Sequence, residues 1–308
     1  MLNTELNHNT CRTALKATAP MKSVRFHGPR DIRVEEIDEP ICGKGQVKAP
    51  VTLGHEFSGI VEEVGEGVTH VSKGQRVVVR PTIYDGTCPS CKGGYEHCCD
   101  NIGFIGLSGY GGGMASKQVA PGDHFYPIPD NISLESAALI EPLAVAWHAV
   151  NVSPFKPNQH VLVVGGGPVG IGIVQVLKMQ GAKTITVAEP MARRREFVLE
   201  YGATHAIDPK EDDVTEQIMK LTNGLGAHVV FDSAGVEQAL RGEVDACRTH
   251  GTIVNIAVWE KKPSMPVNDL MYNEVQYTGA ALYDESAFQN VIRSLNNGML
   301  MLGSLLIR

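Results

Sequence analysis

The 308-residue chain is poor in several things, and each shortage excludes a class of protein. It has no apolar run long enough for a membrane. The apolar stretch from Val161 to Leu177 is broken by five glycines and Pro168 and falls short of the ~20 residues a spanning helix needs. It has no extended basic tract, and Lys+Arg (27) are outnumbered by Asp+Glu (34), which argues against nucleic acid as a partner. Its N-terminus has no apolar segment followed by a small-residue cleavage site, so no secretory signal is expected there and a cytoplasmic location is. Residues 1–20 show no periodicity and are expected to be a disordered extension. The seven cysteines are odd in number, and four of them fall between Cys88 and Cys99. That clustering argues against a disulfide framework and for a metal site in a reducing compartment.

What is present divides into two patterns. From Met21 to about Asp130, short segments such as MKSVRF, GQVK, GIVEEVG, GQRVVVR and MASKQVA alternate with glycine and proline, as expected of an irregular, mostly β domain. From His160 onward, strand and helix alternate. HVLVVGG, TITVAE, THAID, AHVVFDSAG, GTIVNIA and VQYTGAA read as strands. PVGIGIVQVLKMQG and MARRREFVLEYG read as helices closed by Gly181 and Gly202, and further helices begin near Val214, Val236 and Glu285. This α/β alternation with short loops predicts a doubly wound parallel sheet.

The turn after HVLVV contains Gly165-x-Gly167-x-x-Gly170, with Pro168 and Val169 opening the helix that follows. The first glycine permits the tight turn, the second admits a pyrophosphate to the backbone, and the third lets helix pack on strand. Backbone N–H groups at the helix start would hold the phosphates. Glu189 ends the second strand, where an acid accepts from ribose hydroxyls and repels a 2′-phosphate, so NAD is expected over NADP. Arg194, within the run Arg193–Arg195, softens that preference. The bland reading of the run is a solvated first helical turn.

The segments TLGHEFSGIVEEVG, the cysteine cluster and IEPLAVAWHAV precede the Gly-rich turn in that order. Together they resemble the zinc-containing medium-chain alcohol dehydrogenases, with the butanediol and sorbitol (polyol) dehydrogenases nearest in pattern. The resemblance implies a GroES-like, mostly β catalytic domain (21–140, incomplete), a Rossmann NAD-binding domain (141–290) and a truncated return segment (291–308). It also implies hydride transfer between NAD and a secondary alcohol or polyol. His55 and Glu141 would ligate a catalytic zinc, with Glu56 as a further ligand or neighbour. The metal would acidify the substrate hydroxyl while the nicotinamide takes the hydride. Asp85, Cys88, Cys91 and Cys99 match the family's second zinc lobe, with Asp85 where a first cysteine would stand. Cys98 is an alternative to Cys99, and a metal-free lobe of thiols is the competing expectation.

The chain departs from that pattern at two places. Relatives carry a segment resembling GICGTDLHE between GQVK and VTLGHEF, which supplies a cysteine ligand, whereas here GQVKAPVTLGHEF runs straight through. Cys42 is a weak substitute, because it precedes the GQVK segment. Relatives also continue past NGMLMLGSLLIR. The alternative expectation is therefore a catalytically impaired NAD-binding variant or splice form. A small-molecule alcohol is the expected partner, along with a second copy of the chain through the GTIVNIA and VQYTGAA edge.

Overall fold

The structure, a computed structural model, describes residues 20–28, 30–38, 52–108 and 111–301. The N-terminal extension up to residue 19, the GQVK segment, Cys42 and residues 302–308 lie outside the described residues.

The first part is built from β1 (Met21–Gly28), β2 (Asp31–Ile37), β3 (Ser58–Ile60), β4 (Arg76–Val79), β5 (Thr82–Ile83), α1 (Pro89–Lys92), β6 (Gly103–Phe104) and β7 (Phe125–Pro127). The second contains α2 (Leu134–Ala138), α3 (Ile140–Val152), β8 (His160–Val164), α4 (Pro168–Met179), β9 (Thr184–Ala188), α5 (Ala192–Glu200) and β10 (His205–Ile207). It continues through α6 (Val214–Leu221), β11 (Ala227–Asp232), α7 (Glu237–Ala246), β12 (Cys247–Asn255), α8 (Val267–Tyr272), β13 (Gln276–Gly279) and α9 (Glu285–Asn296).

The β part consists of small antiparallel pieces: β1–β2, β3–β4–β7 and β5–β6. Two sequence expectations are trimmed here. MASKQVA forms no strand, and only Ala115 bridges to Ser23. GIVEEVG contributes β3 alone, after which Val61 exchanges hydrogen bonds with Gln75 (2.9 Å) and Gly74 (2.7 Å). β3 is the edge strand of its sheet, where alternation alone cannot sustain pairing, and MASKQVA meets β1 only around that single bridge.

The second part is one six-stranded sheet in the order β10-β9-β8-β11-β12-β13, every neighbouring pair parallel. β8 is buried along its whole length, as a continuous apolar run in the middle of a parallel sheet must be. One face carries Val161, Val163, Val187 and Phe231 against α3, α4 (through Ile173) and α9. The other carries Leu162, Val164, Val230 and Ile253 against α6, α7 and α8. Each such side chain contributes roughly 1.5–3 kcal/mol on burial. The strand expected from GTIVNIA begins earlier, at Cys247, and passes through a left-handed His250 (φ 58°), where its register with β11 shifts. The helix expected near Val236 starts at Glu237, with Val236 as its N-cap. Strand order reverses between β8 and β11, so a crevice opens at their carboxyl ends. Among the described residues no helix is long and apolar enough to cross a membrane.

Candidate active site and metal centres

The cofactor turn follows β8. Gly165 adopts φ 95°, a conformation open mainly to glycine, and its N–H donates to Ala188 O at 2.9 Å. A Cβ on Gly170 would collide with the Gly165 carbonyl, so helix and turn meet backbone to backbone. Gly167 is the N-cap of α4, and Pro168 takes the first helical position, where its missing N–H costs nothing. Val169 packs partly into the core behind the turn.

Glu189 braces the cofactor turn. It is 3% exposed; its Oε2 accepts from Gly166 N–H at 2.8 Å and its Oε1 from Met191 N–H at 2.9 Å. The Arg194 guanidinium stands 3.8 Å from the same carboxylate and is half exposed. Arg195 donates to the Glu189 carbonyl at 2.8 Å and pairs with Asp208 at 2.9 Å. Arg193 lies over Phe197. Of the three arginines, only Arg194 combines exposure with closeness to the acid.

His55 and Glu56 sit on a loop held by the glycine-rich segment opposite. Gly112 N–H donates to Thr52 O (2.8 Å), Gly113 N–H to Gly54 O (2.8 Å) and Met114 N–H to Leu53 O (2.9 Å). A Cβ on Gly112 or Gly113 would strike this loop's carbonyls or Phe57, so the Gly-rich run lets two backbones approach closely. The His55 ring packs edge-on against Phe104 at 5.8 Å. Glu141 enters from the first turn of α3 and is 4% exposed. His55, Glu56 and Glu141 bring one donor atom each to within 4.8 Å of one another. His55 Nε2 and Glu56 Oε1 are 3.8 Å apart. Burial, then the nearby Glu56 charge, push the Glu141 carboxyl up to about 7, opposed by Tyr283. The buried Tyr283 hydroxyl lies beside Glu141 without a geometrically complete hydrogen bond. Two carboxylates and an imidazole converging on one point form a donor set that suits a divalent metal, which would relieve the burial cost of Glu141. Sequence reasoning missed Tyr283, because nothing local marks the loop before α9 as part of this cleft.

The second centre is more compact. Asp85, Cys88, Cys91 and Cys99 place their donor atoms within 4.8 Å of one another. Cys88 Sγ and Cys99 Sγ are 3.9 Å apart. Two sulfurs each about 2.3 Å from a tetrahedral zinc would stand roughly 3.8 Å apart. Backbone N–H groups reach the sulfurs: Cys91 N to Cys88 Sγ, and Asp85 N and Asn101 N to Cys99 Sγ, all at 3.4 Å. Such donors favour thiolate, and the Cys88 thiol is held below its ordinary range by backbone N–H groups of Asp100 and Cys91. Burial pushes the Cys91 thiol up to about 12, a cost that a bound cation would remove. Asp85 is held well below the carboxylate range by Asn101 Nδ2 (2.7 Å) and by the N–H groups of Cys88 (2.9 Å) and Thr87 (2.7 Å). Cys98 is exposed and outside the cluster, so the choice between neighbouring cysteines falls on Cys99.

A nucleotide-type parallel sheet, a glycine turn at its switch point and two metal-competent clusters define a two-part, cofactor-dependent, metal-using protein. The comparisons with known proteins narrow this. Residues 28–130 match the alcohol dehydrogenase GroES-like domain and residues 168–297 the zinc-binding dehydrogenase family. The (R,R)-butanediol dehydrogenase of Neisseria gonorrhoeae is 36% identical over 85% of this chain and 84% of its own. The crystal structure of 2R,3R-butanediol dehydrogenase from Bacillus subtilis superposes with a TM-score of 0.83 at 32% identity, covering 93% of this chain and 90% of that one. A short chain alcohol dehydrogenase from Escherichia coli CFT073, solved with NADH, gives a TM-score of 0.82 at 27% identity over 92% of this chain and 89% of its own. The chain belongs to the zinc-dependent medium-chain alcohol dehydrogenase family, close to the butanediol dehydrogenases. It is an oxidoreductase whose cofactors are NAD and zinc.

Proposed function

We propose that this protein moves a hydride between NAD and a secondary alcohol bearing a neighbouring oxygen, of the 2,3-diol or polyol kind. The convergence of His55, Glu56 and Glu141 within 4.8 Å carries the reading. Its relatives' names, two of them butanediol dehydrogenases, supply the substrate class. Bound at those residues, zinc would acidify the substrate hydroxyl. His55, Glu56 and Glu141 hold it; Tyr283 shields Glu141 from solvent; and Gly165, Gly167, Pro168, Val169, Gly170, Glu189 and Arg194 seat the dinucleotide. Asp85, Cys88, Cys91 and Cys99 hold a second, structural zinc. Residues 21–140 act as the catalytic domain and 141–290 as the cofactor domain, in the cytoplasm.

A second copy of the chain docks along β13. That strand is mostly exposed at the sheet edge, and Val258 (94% exposed), Tyr272 (78%) and Val267 (64%) leave the neighbouring surface apolar.

The test is NADH formation by the zinc-loaded protein with a 2,3-diol and a panel of polyols. Turnover that a chelator abolishes and zinc restores is expected. Zinc-replete, NAD-bound protein that turns over none of them would overturn the reading.

A further inference from the structure

Glu243 is a buried acid that neither the cofactor turn nor the metal centres use. It lies on α7, 2% exposed, in the layer where α7 packs on the sheet through Val244 against Val230 and Ile253. Neither of its carboxylate oxygens has a hydrogen-bond partner. Asp232, at the carboxyl end of β11 and completely buried, is close enough that its charge acts on Glu243, and Tyr277 of β13 feels both acids. Asp232 Oδ1 accepts from the N–H groups of Ala234 and Gly235, each at 2.9 Å, while its Oδ2 has no partner.

Among the described residues, the elements around α7 bring no cation to this pair. β13 contributes the Tyr277 phenol, raised by burial and by both carboxylates. α6 contributes Thr215, whose hydroxyl donates to Gly242 O at 3.4 Å, and the apolar Ile218. β12 contributes the Cys247 thiol, pushed up to about 12 by burial. Arg248 bears on His228 at the other end of β11. α8 contributes Asp269, 4.0 Å from Arg241, which points outward and is 77% exposed.

Two buried carboxyls without a counter-ion cannot both ionise. Asp232 has two N–H donors that favour its charged form, and Glu243 has none. Burial and the Asp232 charge push the Glu243 carboxyl up to about 8. The proton therefore resides on Glu243 near neutrality.

Asp232 begins the turn that supports the cofactor turn. The next residue, Ser233, donates through N–H to Val164 O at 3.0 Å and through Oγ to the same carbonyl at 2.8 Å. A Cβ on Gly165 would meet Ser233 Oγ at 2.9 Å. Asp232 thus adjoins the residue that supports the cradle where the pyrophosphate would lie, and Glu243 faces Asp232 from α7.

We propose that Glu243 and Asp232 form a one-proton acid pair that positions the cofactor turn and couples dinucleotide binding to proton uptake. The negative dinucleotide raises the cost of ionising Glu243, so the protonated pair binds it more tightly. The effect is larger for NADH, which lacks the positive nicotinamide charge of the oxidised form. Affinity then falls as pH rises through about 8, the range where Glu243 ionises. One proton limits the slope to about tenfold per pH unit.

The test is calorimetric titration of the zinc-loaded protein with NADH across that pH, in buffers of different ionisation heat. Proton uptake peaking at or just above the Glu243 transition is expected in the native protein, lost in Glu243→Gln and displaced to lower pH in Asp232→Asn. Absence of uptake in the native protein overturns the proposal without reliance on any variant. An unchanged uptake profile in Glu243→Gln, or an undisplaced one in Asp232→Asn, also overturns it.

Discussion

The backbone N–H of Gly166, inside the cofactor turn, donates to the carboxylate of Glu189 at 2.8 Å. One side chain at the end of β9 therefore braces the turn after β8 and sets the charge where a ribose would lie. Glu189→Ala should weaken NAD binding by roughly ten- to a hundredfold, because a hydrogen bond to a charged group is worth about 1.5–3 kcal/mol. Losing the repulsive carboxylate beside Arg194 should also raise the NADP-to-NAD affinity ratio. Parallel titrations with the two dinucleotides check both outcomes; an unchanged ratio would show that Glu189 serves the turn alone.

Gly170 is next. A methyl there meets the Gly165 carbonyl, which belongs to backbone held by Ala188 and cannot swing aside. Gly170→Ala should cost about 1–3 kcal/mol of stability through overpacking and reduce NAD affinity with it. Thermal unfolding with and without NAD measures the two effects.

The two metal centres share no ligand, so they should empty independently. Cys91→Ser is expected to lose the lobe's zinc and keep the other, while His55→Ala does the reverse and also abolishes turnover. Metal analysis after dialysis against a weak chelator distinguishes them. Loss of both metals from either single variant would mean that the centres are coupled through the fold.

Three histidines, His148 and His160 buried and His228 half-buried, should weaken stability on the acid side. His148, His160 and His228 all have pKa values pushed below 6.5, mainly by burial. The neighbouring His97 adds to this at His148, Lys183 at His160, and Arg248 and His160 at His228. The unfolded chain thus binds more protons than the folded one between the lowered values and 6.5. Their contribution is complete above about pH 6.5 and is lost as pH falls below it. Denaturant unfolding on both sides of that pH should show the decline. Replacing His228 with Asn should make it shallower, since this removes one titrating ring and the charge facing His160 across 5.8 Å.

The sequence by itself determined the parts whose physics is local. Alternating apolar strands and helices, with glycines where the chain must turn, specify the parallel sheet and the cofactor bend. The spacing from Asp85 to Cys99 places four donors on one short loop that folds back on itself. Tertiary structure alone decided the rest. It brought Glu141 on α3 to His55 on a distant loop, set Tyr283 against that acid, chose Cys99 over Cys98 and sealed Glu243 beside Asp232. Those relationships depend on which faces of separate elements pack together, and a side chain's charge, burial and partners exist only once that packing has formed.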